Sequence, residues 1–368
     1  MGKERRLRGI CLTVGMTALL AGCAGFMAHQ PTPVPGRGPL GVPQPTATQI
    51  AVGANPSPSA PRMNPFAAQV GPRGARGKEN PYEWLENVHS KRTRHWIEAE
   101  NQRTAKALAG IPHRAWILNH LEQLEGGGRA GAANDVIVEH VLYLGSDGTR
   151  LPMEIAHRRG SPRDGNQPTL LSVYRASGQS RAPLLQPFVL AWTAMGGVYA
   201  RAQVRGGVIS VPTPGGATTT PNAGSPALSD LFAAAQSLIA QRYTRRARLG
   251  VHGRGFGGLL AGAAVILRPD FFGAALPTGT WPQYRRIASG NCFPPTLIVT
   301  AEHDGSIRPW RGYELAALLQ AEQVCRHPVL IRIDSDGGQD EPLTVRRERA
   351  ADELAFAAKW LGAQPAGQ

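Results

Sequence analysis

The chain has 368 residues, of which 42% are apolar and 6% aromatic, and its formal net charge is +14. This length allows one large domain or two small ones, and the apolar content excludes a fully disordered protein. Because no apolar run reaches the length of a spanning helix, a membrane protein with several such helices is also excluded. The basic excess fits either an anion-binding surface or a solvated basic face, and a nucleic-acid partner is not expected.

Residues 1–22 are predicted to be a lipoprotein signal peptide. A basic start precedes the apolar stretch 10–20, which is the architecture of a secretory signal. The stretch ends in Leu-Ala-Gly-Cys at residues 20–23, which resembles the bacterial lipobox, so Cys23 is predicted to carry the membrane anchor. Ala24, in place of an aspartate, predicts the outer membrane and a domain facing the periplasm. An ordinary cleaved signal peptide is the alternative.

Residues 23–79 are predicted to be a disordered tether. This segment holds 11 of the 31 prolines and shows neither a helical nor an alternating period, so its composition does not favour a packed core. Residues 80–128 have a helical pattern of apolar positions and end at three consecutive glycines. A separate N-terminal helical segment is therefore predicted between the tether and the main domain.

Residues 135–365 are predicted to form an α/β domain. Short apolar runs alternate with amphipathic stretches, which is typical of a mostly parallel sheet covered by helices on both faces. The helices include 257–267, 310–322 and 345–361, and Ser229 is the predicted N-cap of another. The strands are expected at 136–144, 150–156, 169–174, 197–204, 249–252, 272–276, 296–300 and 329–333.

A glycine-rich turn lies between the strand at 249–252 and the helix at 257–267. Gly253, Gly255 and Gly258 satisfy the G-x-G-x-x-G pattern of dinucleotide sites, but no acidic residue ends the following strand to bind a ribose. The same position in α/β-hydrolases carries a G-x-S-x-G nucleophile elbow. In this sequence the pattern is Gly-Arg-Gly-Phe-Gly at 253–257, with Gly255 in the place of the serine.

The sequence resembles the prolyl oligopeptidase family of serine peptidases. One block is Asn-Pro-Tyr-Glu-Trp-Leu-Glu-Asn-Val at 80–88, and the other runs through most of residues 135–362, including Arg-Pro-Asp-Phe-Phe-Gly-Ala at 268–274 and Thr-Ala-Glu-His-Asp at 300–304. The resemblance implies an α/β-hydrolase fold with an eight-stranded, mostly parallel sheet. It also implies that the family's β-propeller is missing, because only a short glycine-rich connection follows the N-terminal segment.

The resemblance places the family's catalytic positions on particular residues. The triad acid is retained as Asp304, the serine position is Gly255, and the histidine falls at or near Gln339. Between residues 328 and 368 the sequence contains no histidine that a shifted alignment would supply. Tyr174 matches the tyrosine that stabilises the oxyanion. Because an imidazole is needed to take the proton from a hydroxyl, the family's chemistry is predicted to be lost.

The predicted function is therefore that of a degenerate, catalytically inactive domain that binds an unidentified envelope protein or peptide. Residual peptidase or esterase activity through other residues is one alternative, with Ser177, Ser180, Ser306, His252 and His303 expected at or near the rim. An anion-binding envelope module is another. Neither a cofactor nor a metal is predicted, because the histidines lack paired ligand spacing.

Two cysteines remain after Cys11 leaves with the signal and Cys23 is lipidated. Cys292 and Cys325 each lie three or four residues before a predicted strand. The last two strands of an α/β-hydrolase are parallel neighbours, so their starts are close together. A disulfide between Cys292 and Cys325 is therefore predicted, consistent with an oxidising compartment.

Overall fold

A computed structural model describes residues 81–175, 183–206, 209–213, 216–220, 225–279, 290–303, 308–337 and 341–365. The signal peptide, Cys23 and the tether predicted before residue 80 lie outside these residues. None of the helices within the described ranges is long and apolar enough to cross a membrane.

An eight-stranded sheet forms the centre of the described structure, and every strand predicted from the sequence is part of it. The first two neighbouring pairs are antiparallel and the other five are parallel. In order across the sheet the strands are β1 (Val136–Leu144), β2 (Arg150–Arg158), β4 (Val198–Val204), β3 (Thr169–Arg175), β7 (Leu249–Arg254), β8 (Ala274–Thr278), β9 (Thr296–His303) and β10 (Val329–Asp336).

Helices cover both faces of this sheet, because its central strands are apolar on both sides. One face packs against α5 (Pro226–Ala240), α6 (Phe256–Leu267) and α7 (Trp310–Glu322). The other packs against α2 (Arg114–Gln123), α4 (Pro187–Ala194) and α8 (Leu343–Leu361). Helix α1 (Lys91–Ala109) contributes Ile97 to the first core cluster and Leu108 to the second, so it lies along a sheet edge.

The predicted N-terminal helical segment is interrupted within the three glycines. In the segment Leu124–Gly128 the chain is kinked at Gly127, whose φ of 121° is outside the helical region and is one that glycine adopts without the steric cost of a Cβ atom. The short helix α3 (Arg129–Asn134) follows the kink, so helical structure extends beyond the predicted end at residue 128. A two-stranded antiparallel sheet of β5 (Ile209–Thr213) and β6 (Gly216–Thr220) was not predicted.

Two local predictions were wrong. Helix α5 is capped at Ser225, not at Ser229, because Pro226 fits the first helical position, where no backbone N–H is required. The strand predicted at 272–276 is Ala274–Thr278. Phe272 precedes it and packs with its neighbour Phe271 around Phe232, with ring centroids 6.1 and 5.3 Å from that of Phe232.

The predicted disulfide between Cys292 and Cys325 is present, with the two Cα atoms 5.1 Å apart. It lies at the amino-terminal ends of β9 and β10, which are parallel neighbours as expected. The Gln323 side chain reinforces the same connection, since its amide accepts from the Phe293 N–H at 3.0 Å and donates to the Phe293 carbonyl at 3.1 Å. Gln323 thus bonds Phe293 as a neighbouring strand would.

Candidate functional site

The turn between β7 and α6 contains Gly255, at the carboxyl edge of the sheet. Its φ of 54° and ψ of −117° lie in a region where residues with a side chain are strained. Two hydrogen bonds fix it: the Gly255 N–H donates to the Thr278 carbonyl, and the Gly255 carbonyl accepts from the Leu259 N–H, both at 2.9 Å. The sharp strand-to-helix turn expected of a nucleophile elbow is therefore present.

The glycines of this turn differ in how much room they leave for a side chain. A Cβ atom on Gly253 would lie 2.3 Å from the Gly257 carbonyl carbon, and one on Gly258 would lie 2.1 Å from the Thr278 oxygen. Those two positions are filled by neighbouring backbone. A Cβ on Gly255 would meet no atom of the described residues within 4 Å. Among the described residues, the turn is therefore uncrowded at the position from which a hydrolase would present its nucleophile, and glycine places no side chain there.

Tyr174 lies at the carboxyl end of β3, at the same edge of the sheet as this turn. Its hydroxyl is 3.3 Å from the Gln203 side-chain oxygen, and the Arg201 guanidinium carbon is 5.9 Å from its ring centroid. The Arg175 guanidinium carbon lies 4.9 Å from the Phe256 ring centroid, immediately after Gly255. The fold therefore brings the strand that carries Tyr174 next to the Gly255 turn.

Asp304, Gln339, Ser177, Ser180 and Ser306 lie outside the described residues. The strands that lead to Asp304 and Gln339 are described, and their ends are held together. Cα pairing extends to His303 of β9 and Asp336 of β10, and the Gly337 N–H donates to the His303 carbonyl at 3.1 Å.

His303 was predicted at the rim, and the structure places its exposed side chain at the end of β9. Its Nδ1 is 2.7 Å from the Ser335 carbonyl oxygen.

His252 was also predicted at the rim, and that prediction is wrong. The side chain is only 7% exposed, with its ring stacked on that of Phe188 at a centroid distance of 4.7 Å. Nδ1 lies 3.4 Å from the Tyr199 hydroxyl, whereas Nε2 is buried without a hydrogen-bond partner among the described residues. Burial lowers the pKa of this imidazole below its ordinary value, so the neutral form is favoured.

A buried ionic network joins the end of β10 to the start of α8, and sequence reasoning missed it. Arg349 of α8 binds both carboxylate oxygens of Glu341, at 2.6 Å for Nη2, and approaches Asp334 at 3.5 Å. Arg332 joins Asp334, at 2.7 Å, to Asp352. The only sequence signal was a set of charged residues at apolar-phase positions of the last helix.

The network continues on the same face of the sheet, between α8 and the α2 region. Arg114 of α2 binds Asp352 at 2.5 Å, and Arg347 of α8 binds Glu122 and Glu125 at 2.7 and 2.6 Å. Glu353 is also buried and accepts a hydrogen bond from Thr278, the residue whose carbonyl holds Gly255. Within the described ranges, no group of three or more histidine, cysteine or acidic side chains is arranged to hold a metal.

Comparison with known proteins identifies the relatives of this site. Residues 186–289 match the family model described as "Prolyl oligopeptidase family". The resemblance to the prolyl oligopeptidase family is confirmed. The prolyl endopeptidase of Elizabethkingia meningoseptica is 29% identical over 263 residues, which are 61% of this chain and 37% of that protein. Prolyl oligopeptidase A of Amanita bisporigera is 27% identical over 268 residues, 62% and 35% of the two chains.

Solved structures agree with this relationship. A structure from a study of two prolyl endopeptidases has a TM-score of 0.55 and 26% identity, covering 62% of this chain and 39% of its own. Oligopeptidase B from Leishmania major shares the fold, with a TM-score of 0.54 at 20% identity over 62% and 37% of the two chains. The architecture is therefore the α/β-hydrolase fold. The chain spans a little over a third of the length of the relatives it matches.

Proposed function

We propose that this chain is an envelope lipoprotein whose prolyl-oligopeptidase-like domain binds peptide segments without hydrolysing them. Gly255 is the observation on which the proposal depends. It occupies the strained turn between β7 and α6 and offers no hydroxyl for nucleophilic attack. Gln339, at or near the family's histidine position, carries an amide, which does not act as a base near neutral pH.

The proposed ligand is an extended, proline-containing segment of an envelope protein or peptide. The relatives are named prolyl endopeptidases and prolyl oligopeptidases, and the family model matches residues 186–289, which include the turn at Gly255. Tyr174 and Gln203 supply polar groups at this edge and Arg175 supplies positive charge, whereas the Arg201 guanidinium is paired with Glu154 at 2.7 Å. A domain that keeps this edge and lacks the nucleophile can bind such a segment and release it unchanged.

The proposed location is the outer membrane, facing the periplasm, with the domain anchored through lipid on Cys23. The support is the signal-like start and the lipobox-like residues 20–23. A single acyl chain gives marginal, reversible binding, whereas several chains give stable anchoring. Cys23→Ala is expected to move the protein from the outer-membrane fraction to the soluble fraction of the envelope. Recovery of this variant in the membrane fraction would refute the anchor.

Inactivity is tested on the full chain with chromogenic proline-containing peptides and simple esters. We expect no turnover above the buffer rate. The double variant Gly255→Ser with Gln339→His restores the two lost residue types, and we expect it to remain inactive or nearly so.

Binding of a proline-containing peptide, followed by fluorescence anisotropy, is expected for the native chain and is expected to weaken in Tyr174→Ala.

Residual hydrolysis is the second candidate, and the position of His303 favours it. This exposed imidazole is held by the Ser335 carbonyl at the carboxyl edge of the sheet, where a base would be useful. Turnover that disappears in His303→Ala would establish this alternative and overturn the proposed inactivity. Turnover that survives in His303→Ala and Ser306→Ala would exclude these two residues, and Ser177→Ala and Ser180→Ala then test the remaining serines in the same assay.

A further inference from the structure

The two edge strands of the eight-stranded sheet, β10 and β1, differ in whether their outer backbone groups are hydrogen-bonded. At the β10 edge, helix α1 satisfies the outer backbone groups. The Asn101 side chain donates to the Ile333 carbonyl and accepts from the Ile333 N–H, both at 2.9 Å, and the Thr104 hydroxyl donates to the Ile331 carbonyl at 2.6 Å. Exposed strand edges invite pairing with other chains, and covering an edge prevents it. The β10 edge is covered in this way.

The β1 edge has no such cover among the described elements. All nine residues of β1 pair with β2 without a bulge, and no described strand pairs with its outer side. The strand contains no lysine, arginine or proline, the residues that commonly protect an edge. Leu142 and Leu144 are 59% and 61% exposed on one of its faces. Among the described elements, nothing covers this apolar and regular edge.

We propose that β1 pairs antiparallel with β1 of a second copy of this chain, about a two-fold axis at His140. Backbone groups alternate between the two sides of a strand, so the unpaired groups of β1 belong to residues of one parity. In an antiparallel pair of identical strands, a two-fold axis through a residue places residues of the same parity opposite each other, so the unpaired groups of the two copies meet. An axis between two residues would place residues of opposite parity together, and these groups would not meet. His140 is the middle residue of Val136–Leu144, so this axis pairs all nine residues.

The resulting side-chain pairs are complementary. Leu142 lies opposite the second copy's Val138, and Leu144 lies opposite its Val136. Val136 and Val138 are half-buried side chains that pack on the core. Cross-strand apolar pairs of this kind stabilise a sheet. The two exposed leucines of each copy are thereby covered by the other copy.

The charges of β1 favour a second copy over an acidic partner strand. The chain carries a formal charge of +14, so two copies must meet where positive charge is low. The only acidic side chain of β1, Glu139, is already bound by Arg163 and by the Tyr243 hydroxyl at 2.9 Å. His140 lies 4.0 Å from Glu154. The edge is close to neutral, and it offers no excess positive charge to attract an acidic strand.

Cysteine cross-linking tests the axis directly. In the full chain with Cys11→Ala and Cys23→Ala, His140→Cys is expected to form a disulfide-linked dimer on mild oxidation. Cα atoms of directly opposed residues lie about 4.5–5.5 Å apart, within the range of a disulfide. Leu142→Cys is the matched control on the same face. Its two copies are offset by four positions, about 13 Å, so it is expected to stay unlinked.

Light scattering on the unsubstituted full chain in mild detergent is expected to give twice the chain mass of 39.2 kDa, corrected for detergent and processing. Leu142→Lys is expected to raise the dimer dissociation constant at least tenfold, whereas Val324→Lys, at another exposed apolar residue, is expected to leave it unchanged. A monomeric native chain would overturn the proposal. So would a dimer that resists Leu142→Lys, or cross-linking through Leu142→Cys in place of His140→Cys.

Discussion

Two parts of the carboxyl edge of the sheet are built by different forces. The turn between β7 and α6 is fixed by close backbone packing, in which Gly253 and Gly258 leave no room for a Cβ atom. The start of α8 is held to β10 by buried ion pairs, in which Arg349 binds Glu341 and approaches Asp334. None of these contacts uses a side chain at position 255, so the described scaffold of this edge does not depend on one.

The largest effect is expected from breaking the ionic support. Arg349→Met would leave Glu341 and Asp334 buried with less compensating charge, and removing one partner of a buried pair costs about 3–5 kcal/mol. We expect the free energy of unfolding, measured by urea denaturation, to fall by this amount. Adding Glu341→Gln is expected to recover much of the loss. A change near zero in Arg349→Met would show that this connection is not held by charge.

The steric support is expected to give the next largest effect. Gly258→Ala forces a Cβ atom against the Thr278 carbonyl, and overpacking of this kind costs about 3 kcal/mol at the upper part of its usual range. Gly255→Ala is the matched control. Its Cβ atom meets no described neighbour, so the only expected cost is the backbone strain of a positive φ, about 1 kcal/mol of the free energy of unfolding. Denaturation of the two variants side by side measures the difference. Equal losses would contradict the distinction between a crowded glycine and a strained one.

A smaller effect, which depends on pH, is expected from His252 of β7: its buried imidazole changes the free energy of unfolding. Burial lowers the folded-state pKa of His252, and Arg254 adds to the shift while Glu353 opposes it. The unfolded chain therefore binds the extra proton first as the pH falls through the ordinary imidazole range. Stability is expected to decrease below about pH 6.5, by at most about 1.4 kcal/mol per pH unit for one group.

His252→Phe is expected to remove this part of the acid sensitivity, whereas His89→Phe, at an exposed position, is expected to retain it. The measurement is the free energy of unfolding between pH 5 and pH 8. An unchanged slope in His252→Phe would mean that the buried imidazole does not contribute.

The sheet could be predicted from the sequence because each of its strands is a short apolar run bounded by turn residues. Helix α4 was not assigned separately, since a short, uniformly apolar run does not distinguish a buried helix from a strand. The hairpin of β5 and β6 was missed because its glycine- and proline-containing sequence lacks a clear alternation. The strand-to-helix turn at Gly255 could be predicted because glycines punctuate it, and its assignment to the family's serine position stays a prediction, as does that of Tyr174 to the oxyanion position. The Arg349 network could not be predicted, because periodicity assigns charged residues to the surface and its partners are far apart in the chain.

The contact between α1 and β10 has a consequence for the order of folding. Asn101 and its partner Ile333 are 232 residues apart in the chain. A contact across this separation closes a loop of most of the domain, and non-local contacts of this kind form late because their loop-closure entropy must be met first. The first helix of the domain therefore docks among the last, and the edge of the sheet is closed only when both ends of the domain are present.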